Sequence, residues 1–133
     1  MAITKNPDRQ YPLRAKVDFV QADLATGVAA AAIDLPGGAR VIGGQIAIVT
    51  AGDSVTSDTI TVGDGTTANR YASAVDGKAT GRTALTPDEL AHATGKGVVY
   101  ITNTAVGTEG TAMVGFLEVE YVIEGRGNES QPV

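Results

Sequence analysis

The chain has 133 residues, 43% of them hydrophobic and 19% charged, with 17 glycines, 5 prolines, one histidine and neither cysteine nor tryptophan. That length argues for a single domain able to bury roughly 68% of its unfolded surface without staples, and the lack of cysteine excludes disulfides, thiolate metal sites and thiol catalysis. Fifteen acids against ten bases give a net charge of −5, the wrong sign for neutralising a phosphate backbone, so nucleic acid is not an expected partner. The longest apolar run, residues 28–33, falls far short of the ~18 residues of a membrane span, and no signal-peptide pattern opens the chain, so a soluble protein with no membrane partner is expected.

Charge is unevenly spread. Residues 1–16 carry Lys5, Arg9, Arg14 and Lys16 against Asp8, a balance of +3, whereas the remainder carries six bases against fourteen acids, a balance of −8. The first segment therefore reads either as a solvated tail or as a basic arm on an acidic body. Ile3, Tyr11 and Leu13 give such an arm something to bury on a partner, and Pro7 and Pro12 hold it extended. Ile3, Lys5, Arg9, Tyr11 and Leu13 are accordingly the candidate partner-binding residues, with an arm over 1–13, a β-domain over 14–124 and a tail over 125–133.

Val and Ile number 23 against 6 Leu, Thr numbers 16, and glycine punctuates the chain throughout, a vocabulary of strands and turns. Leu13, Ala15, Val17 and Phe19 alternate with Arg14, Lys16 and Asp18, the period of a half-buried strand, and a second strand is expected to run up to Leu35. The alanines of 29–32 are too short and uncapped a run to argue for a helix. Leu35-Pro36-Gly37-Gly38 is a turn. The next strand, 40–50, is apolar on both parities, which predicts cover on both faces, with a bulge at Gly43-Gly44. In 56–62, Ile60 and Val62 share one face and Thr59 and Thr61 the other, before a tight turn at Asp64-Gly65. Residues 68–85 are the least strand-like, and Tyr71, Ala72, Ala74 and Val75 fit one helical turn as well as irregular chain. Strands over 97–104 and 112–124 follow, joined by what reads as a hairpin connection. Met113, Leu117, Val119, Tyr121 and Ile123 face inward in the second, and its glutamates face water. Six or seven strands without a long helix predict an all-β antiparallel sandwich or jelly roll.

The catalytic inventory is thin. His92, the one histidine, sits in a polar stretch with no carboxylate fixed beside it in the sequence, so neither general-base nor metal duty is expected of it. No serine occupies a nucleophile elbow. Residues 63–68 match a dinucleotide fingerprint formally, but no amphipathic helix or βαβ rhythm surrounds them, and a turn is expected instead. The Gly-Lys pairs at 77–78 and 95–96 lack the hydroxyl residue that must follow in a phosphate loop. Asp53, Asp58 and Asp64 would hold calcium only if they met at one end of the sheet, and their spacing matches no calcium loop. No enzyme activity, cofactor or metal is expected.

Three blocks carry a resemblance: Leu35-Pro36-Gly37-Gly38-Ala39-Arg40-Val41-Ile42-Gly43-Gly44, then Asp58-Thr59-Ile60-Thr61-Val62-Gly63-Asp64 running on to Asn69-Arg70-Tyr71, and the ending Leu117-Glu118-Val119-Glu120-Tyr121-Val122-Ile123-Glu124-Gly125-Arg126-Gly127-Asn128-Glu129. This text resembles the small β-rich head decoration, or cement, proteins of tailed bacteriophages. The resemblance implies a jelly-roll-like domain, commonly a homotrimer, on the outer capsid surface where capsomers meet. The implied partner is the major capsid protein. A neck or tail component of the virion is the rival reading. A carbohydrate-binding sandwich is a more distant one, disfavoured by the 5% aromatic content.

Overall fold

The computed structural model describes residues 11–87 and 97–123. Eight strands follow in order: β1 (Leu13–Val20), β2 (Ala30–Leu35), β3 (Ala39–Thr50), β4 (Ser57–Gly63), β5 (Ala72–Asp76), β6 (Gly81–Ala84), β7 (Gly97–Val106) and β8 (Val114–Ile123). One short 3-10 turn, Gln21–Asp23, follows β1. The strands form two antiparallel four-stranded sheets, ordered β1-β8-β3-β6 and β2-β7-β4-β5. β4 pairs with β5, β3 with β6, β2 with β7 and β1 with β8. The chain is thus one long hairpin centred on the β4–β5 turn and rolled up, with β3–β8 and β4–β7 pairing along the roll. This nesting is the eight-stranded jelly roll, and the all-β sandwich expected from the sequence is what forms.

Alternation decides which side chains meet between the sheets. β1 and β8 contribute Phe19, Leu117 and Val119; β3 contributes Val41, Ile46 and Ile48; β4 and β7 contribute Ile60, Val62, Val99 and Ile101. Leu24 and Met113, on connections that pass between the sheets, plug one end at 1% and 0% exposure. Burying each such side chain contributes about 1.5–3 kcal/mol before conformational entropy is counted.

Turn chemistry sets the joints. Between β2 and β3 the Ala39 N–H donates to the Pro36 carbonyl at 3.1 Å, and Gly38 takes φ +79° at the third position, the demand of a type II turn. The β3–β8 register slips between Val41 and Gly43, so the Gly43-Gly44 bulge forms where it is expected. Gly44 adopts φ +124°, and a Cβ there would collide with the Glu118 carbonyl across the ladder.

Three expectations need correction. Residues 68–85 hold no helical turn; they supply β5 and β6, which propensity hid because both are short and β5 carries an extra residue, with Ala74 at φ +56° where the register slips between Ile60 and Val62. The link from β7 to β8 is no hairpin, since the two strands belong to different sheets. β3 is central in its sheet, yet Ile42 and Val49 remain 38% and 59% exposed, so its outer face lacks the cover that its two-sided apolar pattern suggests.

The bulge separates two neighbouring glycines by energy. Gly44→Ala is expected to destabilise the fold by about 2 kcal/mol or more through positive-φ strain and collision. Gly43→Ala, whose Cβ would meet nothing within 4 Å, should change stability by less than about 1 kcal/mol. Urea unfolding of the two variants checks both.

Candidate interaction site

The register puts the ends of β1, β3 and β7 together with the starts of β4 and β8. Val20 pairs with Val114, Thr50 with Val114, and Ser57 with Val106. Three connections between the sheets therefore gather at one end, the crossover end, and Leu13 begins β1 at the opposite end, across from Tyr121.

A buried polar clasp ties the crossovers together. Asp58 and Asn103, 1% and 0% exposed, occupy inward positions of β4 and β7, in line with Ile60 and Ile101. Asp58 Oδ1 accepts from the Ser54 hydroxyl at 2.6 Å and from the side-chain amides of Gln21 and Asn103 at 3.1 Å each. Gln21 returns to the chain before β8, accepting from the Met113 N–H at 3.1 Å and donating its own N–H to the Met113 carbonyl at 2.9 Å. Ser54 Oγ accepts from the Gly110 N–H at 2.9 Å, and the Lys78 ammonium donates to the Ser54 carbonyl at 2.6 Å. Asp58 Oδ2 and Asn103 Oδ1 have no hydrogen-bond partner among the described residues.

Two further carboxylates brace loops. Asp53 Oδ1 accepts from the Thr111 and Ala112 N–H groups at 2.7 and 3.0 Å, and these bonds, Ala112 foremost, hold its pKa below the usual carboxylate range. At the other end of β4, Asp64 Oδ1 accepts from the Thr66 and Thr67 N–H groups at 2.9 and 2.7 Å, and Oδ2 pairs with Arg70. Burial pushes the Asp64 carboxyl up, but the two N–H bonds and Arg70 outweigh it and hold it low. Burial, aided by Asp64, pushes the neighbouring Tyr71 phenol up. The fingerprint-like run 63–68 is therefore a carboxylate-braced turn. Asp64 lies at the opposite end of β4 from Asp58, so the three aspartates do not converge, and no group of three His, Cys, Asp or Glu is placed to hold a metal among the described residues. No helix among them is long and apolar enough to cross a membrane.

Several large apolar side chains remain exposed. Val20 and Val114 stand side by side on the outer face of the β1-β8-β3-β6 sheet at its crossover end, near Val49, and Val55 and Val106 project from the same end of the other sheet. Along that outer face Arg14 bridges Glu118 and Glu120 at 3.0 and 3.2 Å, and the Lys16 ammonium lies 4.6 Å above the Phe116 ring. Of the residues singled out from the sequence, Leu13 is half-buried and already part of β1, and Tyr11 is 64% exposed. Ile3, Lys5, Arg9 and His92 lie outside the described residues. With Arg14 and Lys16 engaged on the sheet, the charge ahead of β1 reduces to Lys5 and Arg9 against Asp8.

The clasp predicts that Asp58→Ala, which strands three buried donors, lowers stability by about 3 kcal/mol and the melting temperature by roughly 10 °C, readable by calorimetry. Because the folded-state pKa values of Asp53 and Asp64 are depressed, their stabilisation is complete above the ordinary carboxylate pKa near 3.8 and is lost as pH falls through the lower folded values. Asp64→Asn should therefore shrink the loss of thermal stability between pH 7 and pH 3.

No family model matches the chain, and no curated protein does. Solved structures do. A chain of the cyanophage Pam1 capsid asymmetric unit superposes with a TM-score of 0.71 at 21% identity, over 92% of this chain and 94% of that one. A chain from the acid-stable capsid of Helicobacter pylori bacteriophage KHP30 gives 0.65 at 24%, over 85% and 88%. One from the capsid of Ralstonia phage GP4 gives 0.67 at 19%, over 96% and 93%. Across nearly its whole length, this jelly roll is the fold of chains found in phage capsids.

Proposed function

We propose that this chain is a virion structural protein of a tailed bacteriophage, a head decoration protein that binds the outer surface of the assembled shell and braces it. The observation that carries this reading is the end-to-end match to three capsid-derived chains, which covers at least 85% of both partners in each pair. A neighbour that shared only a common module would leave much of one chain unmatched. The sequence blocks resembling cement proteins point the same way. The net charge of −5 suits a position away from packaged DNA. A sandwich closed at one end by an aspartate clasp is a stiff body, and many copies of a stiff body, each with a modest contact, add up through multivalency. The partner is the major capsid protein, and the working assembly is a homotrimer seated where capsomers meet, with the segment ahead of β1 contributing to attachment.

Cryo-electron microscopy of virions tests the assignment: knobs on the capsid surface that fit this jelly roll are expected, and density at the neck or tail would transfer the chain to those structures. No metal or covalent chemistry enters the role, so His92→Ala should be incorporated into virions at the level of the unaltered protein. A His92→Ala chain that folds but is not incorporated would contradict the reading.

A further inference from the structure

Eight large apolar side chains are exposed among the described residues, and they are not scattered. Val20, Val49, Val55, Val106 and Val114 lie at the crossover end, and Val28 is on the connection that leaves it after β1. Ile42, on the outer face of β3, and Tyr11, ahead of β1, are the two elsewhere. A single exposed valine needs no explanation, but a set gathered at one end is the pattern of a surface that something covers. The end is also rigid. The Val55 N–H donates to the Thr108 carbonyl and the Thr56 N–H to the Val106 carbonyl, both at 3.0 Å. Asp53 and Ser54 hold the chain between β7 and β8 from the other side. Valine has one stiff side-chain torsion, so a surface of braced valines loses little entropy when it is covered.

Charge says what can cover it. The connections that meet at this end, residues 21–29, 51–56 and 107–113, carry Asp23, Asp53 and Glu109, all exposed, and no Lys or Arg. Lys78, on the neighbouring turn between β5 and β6, gives its ammonium to the Ser54 carbonyl at 2.6 Å. A second copy seated on this end would set acids against acids, and an anionic membrane surface would be repelled in the same way. An apolar protein surface bordered by lysine or arginine is complementary on both counts. We propose that the crossover end is the face that docks on such a surface and, resting on the virion reading above, that the surface is the outside of the capsid shell. The body then stands on its crossover end, with the Asp64 turn and the start of β1 pointing away from the shell. The flanks of the sandwich are left for neighbouring copies. The ten residues ahead of Tyr11 span up to ~33 Å when extended, against ~26 Å for β1, so that segment is long enough to reach the same shell from the far end.

Co-sedimentation with capsid shells that lack this chain tests the docking face. The unaltered chain is the control for the virion reading: if it does not bind, that reading fails and this one with it. Val55→Asn combined with Val106→Asn should weaken binding roughly tenfold, because two amides would meet the apolar centre of the contact without partners. Glu109→Lys should weaken it about threefold by turning an attraction into a repulsion. Ile42→Asn, which alters an exposed apolar residue away from this end, should bind within about twofold of the unaltered chain. All these side chains are exposed, so melting temperatures should stay within about 4 °C of the unaltered chain, which separates lost binding from lost folding. Full binding by the double variant would overturn the docking face and leave the virion reading standing. Light scattering of the double variant examines the other occupant. Its oligomeric state should match that of the unaltered chain, and a shift to monomers would overturn the proposal by assigning the valines to a contact between copies.

Discussion

A carboxylate buried at 1% exposure is the constraint around which this jelly roll is arranged. A polar group out of water is tolerated only where hydrogen-bond partners replace its hydration shell, and the donors to Asp58 come from parts of the chain that are otherwise far apart: Gln21 after β1, Ser54 before β4 and Asn103 in β7. Gln21 and Ser54 then carry the constraint on to Met113 and Gly110, so the chain between β7 and β8 is fixed by the same group. Three connections that cross between sheets are thereby placed by one side chain. An apolar residue in its place would fill the volume but leave those backbone segments to find their own positions.

The consequence is asymmetry along the long axis. The crossover end is held by side-chain-to-backbone bonds and presents valines on a preset surface, whereas the opposite end carries the entry to β1 and the Asp64 turn. Asymmetry also runs across the sandwich. Bulges and short strands protect three edges, and β1, the most regular strand of all, lies unprotected beside a flank lined with alanine.

Much of the fold was legible because alternation is a strong signal where one face is buried. Leu13 to Phe19, Ile60 with Val62, and Leu117 with Val119 each place themselves correctly from period alone, whereas Met113 falls on the connection before β8 and the alternation fades after Val119. β5 and β6 were not legible, since four or five residues with little alternation carry no periodic signal, and their pairing with β4 and β3 is decided by long-range partners. The outer face of β3 misled for a related reason. Ile42 and Val49 look like core residues in a one-dimensional pattern, and only the sheet order shows that nothing within the described chain covers them. The clasp was half legible. Asp58 shares its parity with Ile60 and Val62, and Asn103 shares its own with Val99 and Ile101, so alternation already pointed both inward, yet a lone aspartate near a turn is so often solvated that the parity went unread. Gln21 lies beyond the end of β1, where parity no longer applies, and no local pattern marks it.

The same contrast explains why a surface of this kind is hard to recognise from its residues. A catalytic site concentrates reactive side chains in a pocket, and the types alone betray it. Here the informative features are relational: an unbroken register on one edge, small residues opposite it, and valines gathered at the crossover end. None of these is unusual in isolation, since alanine is common and every open sheet has edges. Taken together they mark β1 as the sheet edge least protected against pairing, since the neighbouring edge β2 is broken by a bulge and β1 is not.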